Sequence, residues 1–362
     1  MKSVESLFCP MVEAMKPYTP IEPPDQIAKR LGFDESDIIK LDANENPYGT
    51  ADLVLKELAE GKYYHIYPDP AQTKLREAIA SYVGVKAKNI IAGTGADELI
   101  DLVCRLTLEP GDKVLDCNPT FGYYRHVVGL NRGVIKTIDR EPDFSLDLDK
   151  LKALDLKDVK LVFLCSPNNP SGNLIDPEVL RWFLEQPLMV VLDEAYFEFA
   201  GETLVSWVNQ HSNLLVLRTF SKCFGLAGFR VGYGVMGEAL ANAMMKIKPP
   251  YSVSVPAEVA LIACLDNLSY FQAQVDQLIA TREDSFLKLA AFEQLTPYPS
   301  KSNFILCKVE GFSALKITKD LESKGILVRY FDTPTLQGYI RVSMGTEAQM
   351  ERFFAELSQI LG

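Results

Sequence analysis

The sequence is short of the residues that build metal sites, disulfide frameworks and nucleic-acid surfaces. It has three histidines in 362 residues and no His-x-x-x-His or acidic ligand cluster, which argues against a catalytic metal. Its seven cysteines lack the paired spacing of zinc or redox sites and favour a reduced, cytoplasmic protein. A formal net charge of -11 without a basic stripe argues against nucleic acid and anionic membranes as partners. Any anion-binding site must therefore depend on a few nearby hydrogen-bond donors or positive charges.

Long apolar runs are also absent. No apolar segment reaches membrane-spanning length, and Lys2, Glu5, Glu13 and Lys16 interrupt the start, where a signal peptide would be apolar. We therefore expect no membrane partner. The content of 48% hydrophobic and 23% charged residues is ordinary for a globular protein. The chain is longer than the usual length of a domain with a single hydrophobic core. One large domain with a smaller companion is the expectation.

From about residue 73, helical and strand-like patterns alternate. Short apolar strands are predicted at 90–92, 114–116, 161–164, 189–192 and 214–217. Continuous apolar strands are typical of a parallel sheet covered on both faces. We predict an α/β fold whose large domain has a mostly parallel sheet with helices on both faces, plus a small α+β domain. The predicted division is a mostly extended, proline-rich arm at 1–45, which packs with the small domain and a partner subunit, a large domain at 46–285 and a small domain at 286–362.

Ligands of such sheets bind at the carboxyl ends of the strands. Applied to the predicted strands, this rule selects Phe121, Asn169, Asp193, Tyr196 and Lys222. The five side chains offer an aromatic ring, an amide, a carboxylate, a phenol and an amine at one edge.

Two segments contain hydrogen-bond donors that predict a phosphate-binding site beside the lysine amine. Thr219, Ser221 and Arg230 flank Lys222 with hydroxyls and a guanidinium. A glycine turn at 93–95 opens a helix, and the amides of Ala96 and Asp97 in its first turn favour negative charge. Asp97 could instead be a plain helix cap, and the lysine segment an ordinary surface turn.

A lysine that forms a Schiff base, joined by an acidic partner for a ring nitrogen, is the arrangement of pyridoxal phosphate sites. Asp193 would keep that nitrogen protonated. Tyr196 and Asn169 would bond the ring hydroxyl oxygen, and Phe121 would stack on the ring. Lys222 would move a proton between the substrate α-carbon and the cofactor. A magnesium-binding acidic pair is the weaker alternative for Asp193, because the chain has no Gly-x-x-x-x-Gly-Lys-Ser/Thr segment.

The predicted small domain contains Arg341 and Arg329. Guanidinium groups match carboxylate and phosphate, so both arginines are candidates for the anionic groups of a substrate. An exposed structural arginine is the alternative for each.

Eight segments, in order, carry a resemblance to a known family. They are Leu-Asp-Ala-Asn-Glu-Asn-Pro-Tyr-Gly (41–49), Tyr-Pro-Asp-Pro (67–70), Gly-Ala-Asp-Glu-Leu-Ile (95–100), Ser-Pro-Asn-Asn-Pro-Ser-Gly (166–172), Leu-Asp-Glu-Ala-Tyr (192–196), Arg-Thr-Phe-Ser-Lys (218–222), Gly-Leu-Ala-Gly-Phe-Arg-Val-Gly-Tyr (225–233) and Gly-Tyr-Ile-Arg-Val-Ser (338–343). Over nearly its whole length the chain resembles the fold-type I pyridoxal phosphate-dependent aminotransferases and, within them, the histidinol-phosphate aminotransferase family.

The resemblance implies a homodimer in which Tyr67 reaches the partner's cofactor phosphate. It implies a ping-pong exchange of the amino group between L-histidinol phosphate with 2-oxoglutarate and imidazole acetol phosphate with L-glutamate, in L-histidine biosynthesis. Arg341 would bind the glutamate α-carboxylate, Arg329 the second anionic group, and Tyr18 and Asn46 would contact substrate. An aromatic amino acid aminotransferase or a phospho-amino-acid decarboxylase of the same fold remains the alternative.

Three positions depart from the family pattern. Asn118 stands where proline is usual. Phe121 stands where tyrosine is common, which keeps the stacking and loses a hydroxyl. Cys223 follows the lysine and is either a reactive thiol beside a cation or an inert small residue.

Overall fold

The computed structural model describes residues 3–15 and 22–362. The strands in this part of the chain are β1 Ile39–Leu41, β2 Ile90–Gly93, β3 Lys113–Asn118, β4 Val134–Asp139, β5 Val159–Cys165, β6 Met189–Asp193, β7 Leu214–Thr219, β8 Gly232–Met236, β9 Leu295–Pro297, β10 Phe304–Val309, β11 Ile326–Tyr330 and β12 Tyr339–Ser343. The α-helices are α1 Pro10–Ala14, α2 Pro24–Leu31, α3 Asp52–Glu60, α4 Thr73–Val83, α5 Gly95–Thr107, α6 Tyr123–Leu130, α7 Leu148–Lys152, α8 Pro177–Leu184, α9 Phe197–Ala200, α10 Glu238–Ile247, α11 Val255–Leu265, α12 Leu268–Ala290, α13 Ala314–Glu322 and α14 Glu347–Leu361.

The larger sheet has seven strands in the order β2-β8-β7-β6-β5-β3-β4. The pairs from β7 through β6, β5 and β3 to β4 are parallel. Strand β8 is antiparallel to both of its neighbours. The carboxyl ends of the parallel strands therefore share one edge, where the predicted site residues follow.

Side chains alternate between two hydrophobic cores on the two faces of this sheet. Leu161 and Phe163 of β5 belong to one core, whereas Val162 and Leu164 belong to the other. A parallel sheet leaves neither face to solvent, so each face needs its own layer of helices. The predicted fold class is confirmed.

The smaller sheet has the strand order β1-β11-β12-β10-β9. Strand β1 comes from the N-terminal segment and pairs in parallel with β11, with Ile39 opposite Ile326. The segment before residue 45 is therefore tied to the C-terminal strands by backbone hydrogen bonds.

The prediction of a mostly extended arm is wrong for the described part of residues 1–45. Helix α2 begins at Pro24, and α1 begins at Pro10. Proline is favoured in the first turn of a helix, because its missing N–H has no intrahelical partner there. These prolines therefore start helices instead of preventing them.

The division into domains stays a prediction, and its boundary at residue 285 falls inside α12. Helices α11 and α12 are separated by Asp266 and Asn267. In the larger sheet, strands β4 and β8 were not predicted. Among the described residues, no helix combines the length and apolar character that a membrane crossing requires.

Candidate active site

A cavity of about 920 Å³ opens at the carboxyl ends of β5, β6 and β7. Its walls include residues that follow these strands and residues of β11 and β12. Of the predicted residues, Lys222, Asp193, Tyr196, Asn169, Phe121, Ala96, Asp97, Thr219, Ser221, Arg230, Arg341 and Arg329 line it. The structure thus brings most of the predicted set into one place.

Lys222 follows β7 by three residues and extends its amine into this cavity. Its Nζ donates a hydrogen bond to the carbonyl oxygen of Ala43, at 3.1 Å. Burial, and next the positive charge of Arg341, lower the pKa of Lys222 to about 8. A larger fraction of this amine than of an ordinary lysine is therefore neutral, and so nucleophilic, near neutral pH.

Asp193 is the last residue of β6 and is 4% exposed. Its Oδ2 accepts a hydrogen bond from the Tyr124 hydroxyl at 2.5 Å, and its Oδ1 accepts one from the Ala195 amide at 3.0 Å. Burial raises the pKa of Asp193 to about 6. The Asp193 carboxyl group is thus buried away from water, and this environment suits it to pairing with a cationic ring nitrogen.

A chain of hydrogen bonds joins the two sheets beside the lysine. The Tyr196 hydroxyl accepts from Asn44 Nδ2 at 2.9 Å and from Asn169 Nδ2 at 3.4 Å. Asn169 Oδ1 accepts from Arg341 Nη1 at 2.7 Å. Burial raises the pKa of Tyr196 above its usual value, so the phenol is a neutral hydrogen-bonding group. The amide, phenol and guanidinium are therefore oriented by one another.

Phe121 lines the cavity and contacts Tyr124 edge to face, with ring centroids 5.4 Å apart. A phenylalanine offers a ring face for stacking and no polar atom. The cavity wall at this position therefore supplies apolar contact alone.

The N-terminus of α5 lies on the same side of the cavity as Arg230. Gly95 has φ +75°, and a β-carbon there would lie 2.7 Å from Arg230 Nη2. Arg230 Nη2 also pairs with Asp97 Oδ2 at 2.9 Å. Thr219 Oγ1 donates to Ser221 Oγ at 2.9 Å, close by along the chain. First-turn amides, two hydroxyls and a guanidinium make a cradle with the donors that a phosphate group needs.

Gly232 allows β8 to pass directly under this cradle. A β-carbon at Gly232 would lie 2.5 Å from the Ala96 amide nitrogen and 2.8 Å from the Gly95 carbonyl carbon. Both are backbone atoms, so a side chain must displace the start of α5. We expect Gly232→Ala to weaken binding of pyridoxal phosphate by roughly tenfold, because overpacking of this kind costs about 1–3 kcal/mol.

Absorbance titration of the cofactor-free protein with pyridoxal phosphate measures this affinity. Gly237→Ala is the matched control, because a β-carbon there meets nothing within 4 Å. A Gly232→Ala protein that binds the cofactor as tightly as the control would show that the start of α5 is not part of the phosphate site.

Two of the predicted residues that the structure describes do not line the cavity. Asn46 is buried, and its Nδ2 donates to the Cys223 carbonyl oxygen at 2.7 Å, so its described contacts hold the loop after Lys222. Tyr67 is 77% exposed and stacks on Tyr251, with centroids 4.6 Å apart. Tyr18 lies outside the described residues. The roles of Asn46 and Tyr67 in binding stay predictions.

Sequence reasoning missed two groups. Asn44, which bonds the Tyr196 hydroxyl, has φ +55°, a conformation that asparagine tolerates better than most residues. Arg218 and Glu194 form a buried ion pair at 2.8 Å between the ends of β7 and β6. The sequence carried a signal for this pair, because Arg218 is the penultimate residue of the apolar strand β7 and Glu194 directly follows β6.

Cys223 is 3% exposed, and burial raises its pKa well above the usual value. A thiol in this state is neutral and shielded from oxidants and electrophiles. The structure therefore favours the interpretation of Cys223 as an inert packing residue.

The donor set fits pyridoxal phosphate. Among the lining residues that the structure describes, Lys222 would supply the amine for the aldehyde, and Asp193 would supply a buried carboxylate for the ring nitrogen. The cradle at α5 would hold the phosphate, and the missing β-carbon of Gly232 leaves room for its backbone. Phe121 provides the apolar face. Each part of the cofactor would thus find a group of matching chemistry in this cavity.

Comparison with known proteins gives the same family. Residues 36–357 match the family model of aminotransferase class I and II. The chain is 46% identical to the chloroplastic histidinol-phosphate aminotransferase of Nicotiana plumbaginifolia over 96% of this chain and 86% of that one. It is 41% identical to the histidinol-phosphate aminotransferase of Roseiflexus castenholzii over 99% of both chains.

A solved structure from the same family is also similar to this chain. The histidinol-phosphate aminotransferase of Sinorhizobium meliloti in complex with pyridoxal-5'-phosphate is 28% identical, and the superposition has a TM-score of 0.89 over 98% of each chain. The chain therefore belongs to the class I and II aminotransferases and, within them, to the histidinol-phosphate aminotransferase family of pyridoxal phosphate-dependent transaminases.

Proposed function

We propose that this protein transfers the amino group of L-histidinol phosphate to 2-oxoglutarate, giving imidazole acetol phosphate and L-glutamate in L-histidine biosynthesis. The observation that carries the proposal is that Lys222 and Asp193 face one cavity together with Arg341 and Arg329. Amine, carboxylate and two guanidinium groups suit an amino exchange between anionic substrates. The reactions named for the relatives are of this kind.

The chemistry divides between the cofactor and the chain. Pyridoxal phosphate, when bound, supplies an aldehyde for the substrate amine and a ring that withdraws electrons from the α-carbon. Lys222 Nζ would accept the proton from the substrate α-carbon and return it to the cofactor, a task favoured by its pKa of about 8. The Asp193 carboxylate holds the ring nitrogen as a cation. Tyr196 and Asn169 fix the ring plane through their hydroxyl and amide.

Arg341 and Arg329 are proposed to bind the anionic groups of the substrates. They are directly opposite each other on β12 and β11. Arg341 is 6% exposed, and its Nη2 donates to the Asp42 carbonyl oxygen at 2.6 Å. A guanidinium held at this depth presents a fixed fork to a carboxylate.

Replacing this fork by a single ammonium tests the proposal. We expect Arg341→Lys to raise the KM for L-glutamate by roughly tenfold to a hundredfold with a smaller change in kcat, because a charge-assisted pair contributes about 1.5–3 kcal/mol. Steady-state kinetics with L-glutamate measures both constants. Arg352→Lys is the control, since that side chain donates to the backbone carbonyls of Asp37 and Lys324 at the surface. An unchanged KM in Arg341→Lys would remove Arg341 from the carboxylate site.

We further propose a cytoplasmic homodimer with shared active sites. Aromatic and aliphatic side chains at Tyr63, Tyr64, Ile66 and Tyr67 are exposed together, and Tyr67 stacks on Tyr251. Such a cluster suits a subunit interface from which Tyr67 reaches the partner's cofactor phosphate. The cysteines of the described chain are free, as in a reducing compartment. Sedimentation of the cofactor-loaded protein tests the oligomeric state.

A substrate panel tests the function. The values of kcat/KM for L-histidinol phosphate, L-histidinol, L-phenylalanine and O-phospho-L-threonine are compared with 2-oxoglutarate as acceptor, and release of carbon dioxide is followed in parallel. The proposal requires L-histidinol phosphate to be preferred over L-histidinol by a large factor, because a site built for phosphate leaves its donors unpaired with the dephosphorylated substrate. Preference for L-phenylalanine, or decarboxylation of the phosphorylated amino acid, contradicts it.

A further inference from the structure

We propose that Tyr124 is a positioning residue, which holds the Asp193 carboxylate ionised and oriented for the ring nitrogen of the cofactor. The proposal rests on the role of Asp193 proposed above. Tyr124 lies on α6, outside every segment that indicated the site in the sequence.

The contact is short, buried and directed. The Tyr124 hydroxyl lies 2.5 Å from Asp193 Oδ2, and the tyrosine side chain is fully buried. Asp193 Oδ1 is held separately by the Ala195 amide. Each carboxylate oxygen therefore has its own donor, and the two donors together fix the rotation of the carboxylate about its bond to Cβ.

Packing fixes the tyrosine in turn. Its ring stacks on Phe163 of β5, with centroids 4.5 Å apart and planes 7° from parallel. Its edge meets Phe121, which lines the cavity. A ring held on two sides cannot withdraw its hydroxyl without opening the core between α6 and the sheet. The position of the Asp193 carboxylate is thus tied to the apolar wall against which the cofactor ring would stack.

The surrounding charges make this donor necessary. Burial raises the pKa of Asp193, and the negative charges of Asp97 and Glu194 raise it further. The Tyr124 hydroxyl is the largest of the influences that lower that pKa, followed by the Ala195 amide. Burial raises the pKa of Tyr124 well above its usual value, so it remains a proton donor. The thiol of Cys165, which also contacts Tyr124, is kept neutral by burial.

The first test uses the cofactor-free protein. Aspartate labelled with ¹³C at the carboxyl carbon is incorporated, and the Asp193 resonance is assigned by its loss in Asp193→Asn. We expect Asp193 in Tyr124→Phe to titrate at a higher pH than in the wild type, where its pKa is about 6. Tyr233→Phe is the matched control, because it removes another buried hydroxyl, which accepts from Arg218 instead. Identical Asp193 titrations in Tyr124→Phe and wild type would overturn the proposal.

The second test uses cofactor binding and turnover. We expect Tyr124→Phe to weaken pyridoxal phosphate binding by roughly tenfold and to lower kcat, with the KM for L-histidinol phosphate unchanged, because a hydrogen bond to a charged group is lost. If Tyr124→Phe does not fold, difluorotyrosine incorporated at Tyr124 replaces it. The more acidic hydroxyl must then shift the Asp193 titration to lower pH, and an unshifted titration overturns the proposal.

Failure of this inference is distinct from failure of the proposed function. If Asp193→Asn leaves cofactor affinity and turnover unchanged, the roles of Asp193 and Tyr124 are both wrong, whereas the proposed function is tested separately by the substrate panel. If Asp193→Asn is severely impaired while Tyr124→Phe matches the wild type in titration, affinity and turnover, only the role of Tyr124 is wrong.

Discussion

Substituting Lys222→Ala is expected to lower kcat by roughly 10⁴-fold while leaving the fold intact, because the amine is both nucleophile and proton carrier. No other lysine is among the described residues that line the cavity, so no neighbouring amine takes over. Among the described residues, Nζ makes one hydrogen bond, to the Ala43 carbonyl oxygen, and its loss removes little packing. Steady-state turnover and circular dichroism measure the two outcomes.

Lys248→Ala is the control for Lys222. Lys248 is also a buried lysine whose pKa is lowered by burial, and its Nζ donates to the Pro249 carbonyl oxygen, away from the lining residues. Its removal should change kcat by less than about tenfold, as a substitution outside the reacting groups does. Substantial turnover in Lys222→Ala would show that another group carries the proton.

The second large effect is expected at Asp193. Asp193→Asn keeps the shape of the side chain and removes its charge, so the ring nitrogen loses its counter-ion. We expect kcat to fall by roughly 10² to 10³-fold, as when a preorganised electrostatic partner is removed from a dry site. The visible spectrum of the bound cofactor should change as well, because the protonation of the ring changes.

Asp116→Asn is the matched control for this charge removal. Asp116 is 2% exposed on β3, which β5 separates from β6, and its Oδ2 pairs with Arg125 Nη2 at 2.6 Å. Its variant should be less stable, because a buried partner of Arg125 is lost, with kcat changed by less than about tenfold. Equal loss of kcat in both variants would mean that Asp193 acts through stability alone.

Much of this site follows from the sequence because parallel strands align their ends. Lys222, Asp193 and Asn169 each follow a short apolar run, and one topological rule brings them to the same edge. The fold class follows from the same runs. Neither result needs knowledge of side-chain packing.

What the sequence hides depends on contacts between distant segments. Tyr124 is an apolar-face residue of α6 by its spacing, and only the folded structure shows that its hydroxyl meets Asp193. Strand β4 lies at an edge of the sheet with no fully buried side chain, so its pattern lacks the apolar run that marks the other strands. Strand β8 begins with Gly232 and Gly234, which are poor strand formers in sequence statistics.

A half-reaction tests the central claim most directly. The cofactor-loaded protein is mixed with L-histidinol phosphate in the absence of any 2-oxo acid, and absorbance and keto product are followed together. The proposed function requires the visible absorbance of the lysine-bound cofactor to disappear as a stoichiometric amount of imidazole acetol phosphate forms, and 2-oxoglutarate to restore it with release of L-glutamate. An unchanged spectrum and no keto product, under conditions where an aromatic amino acid does react, would contradict the account.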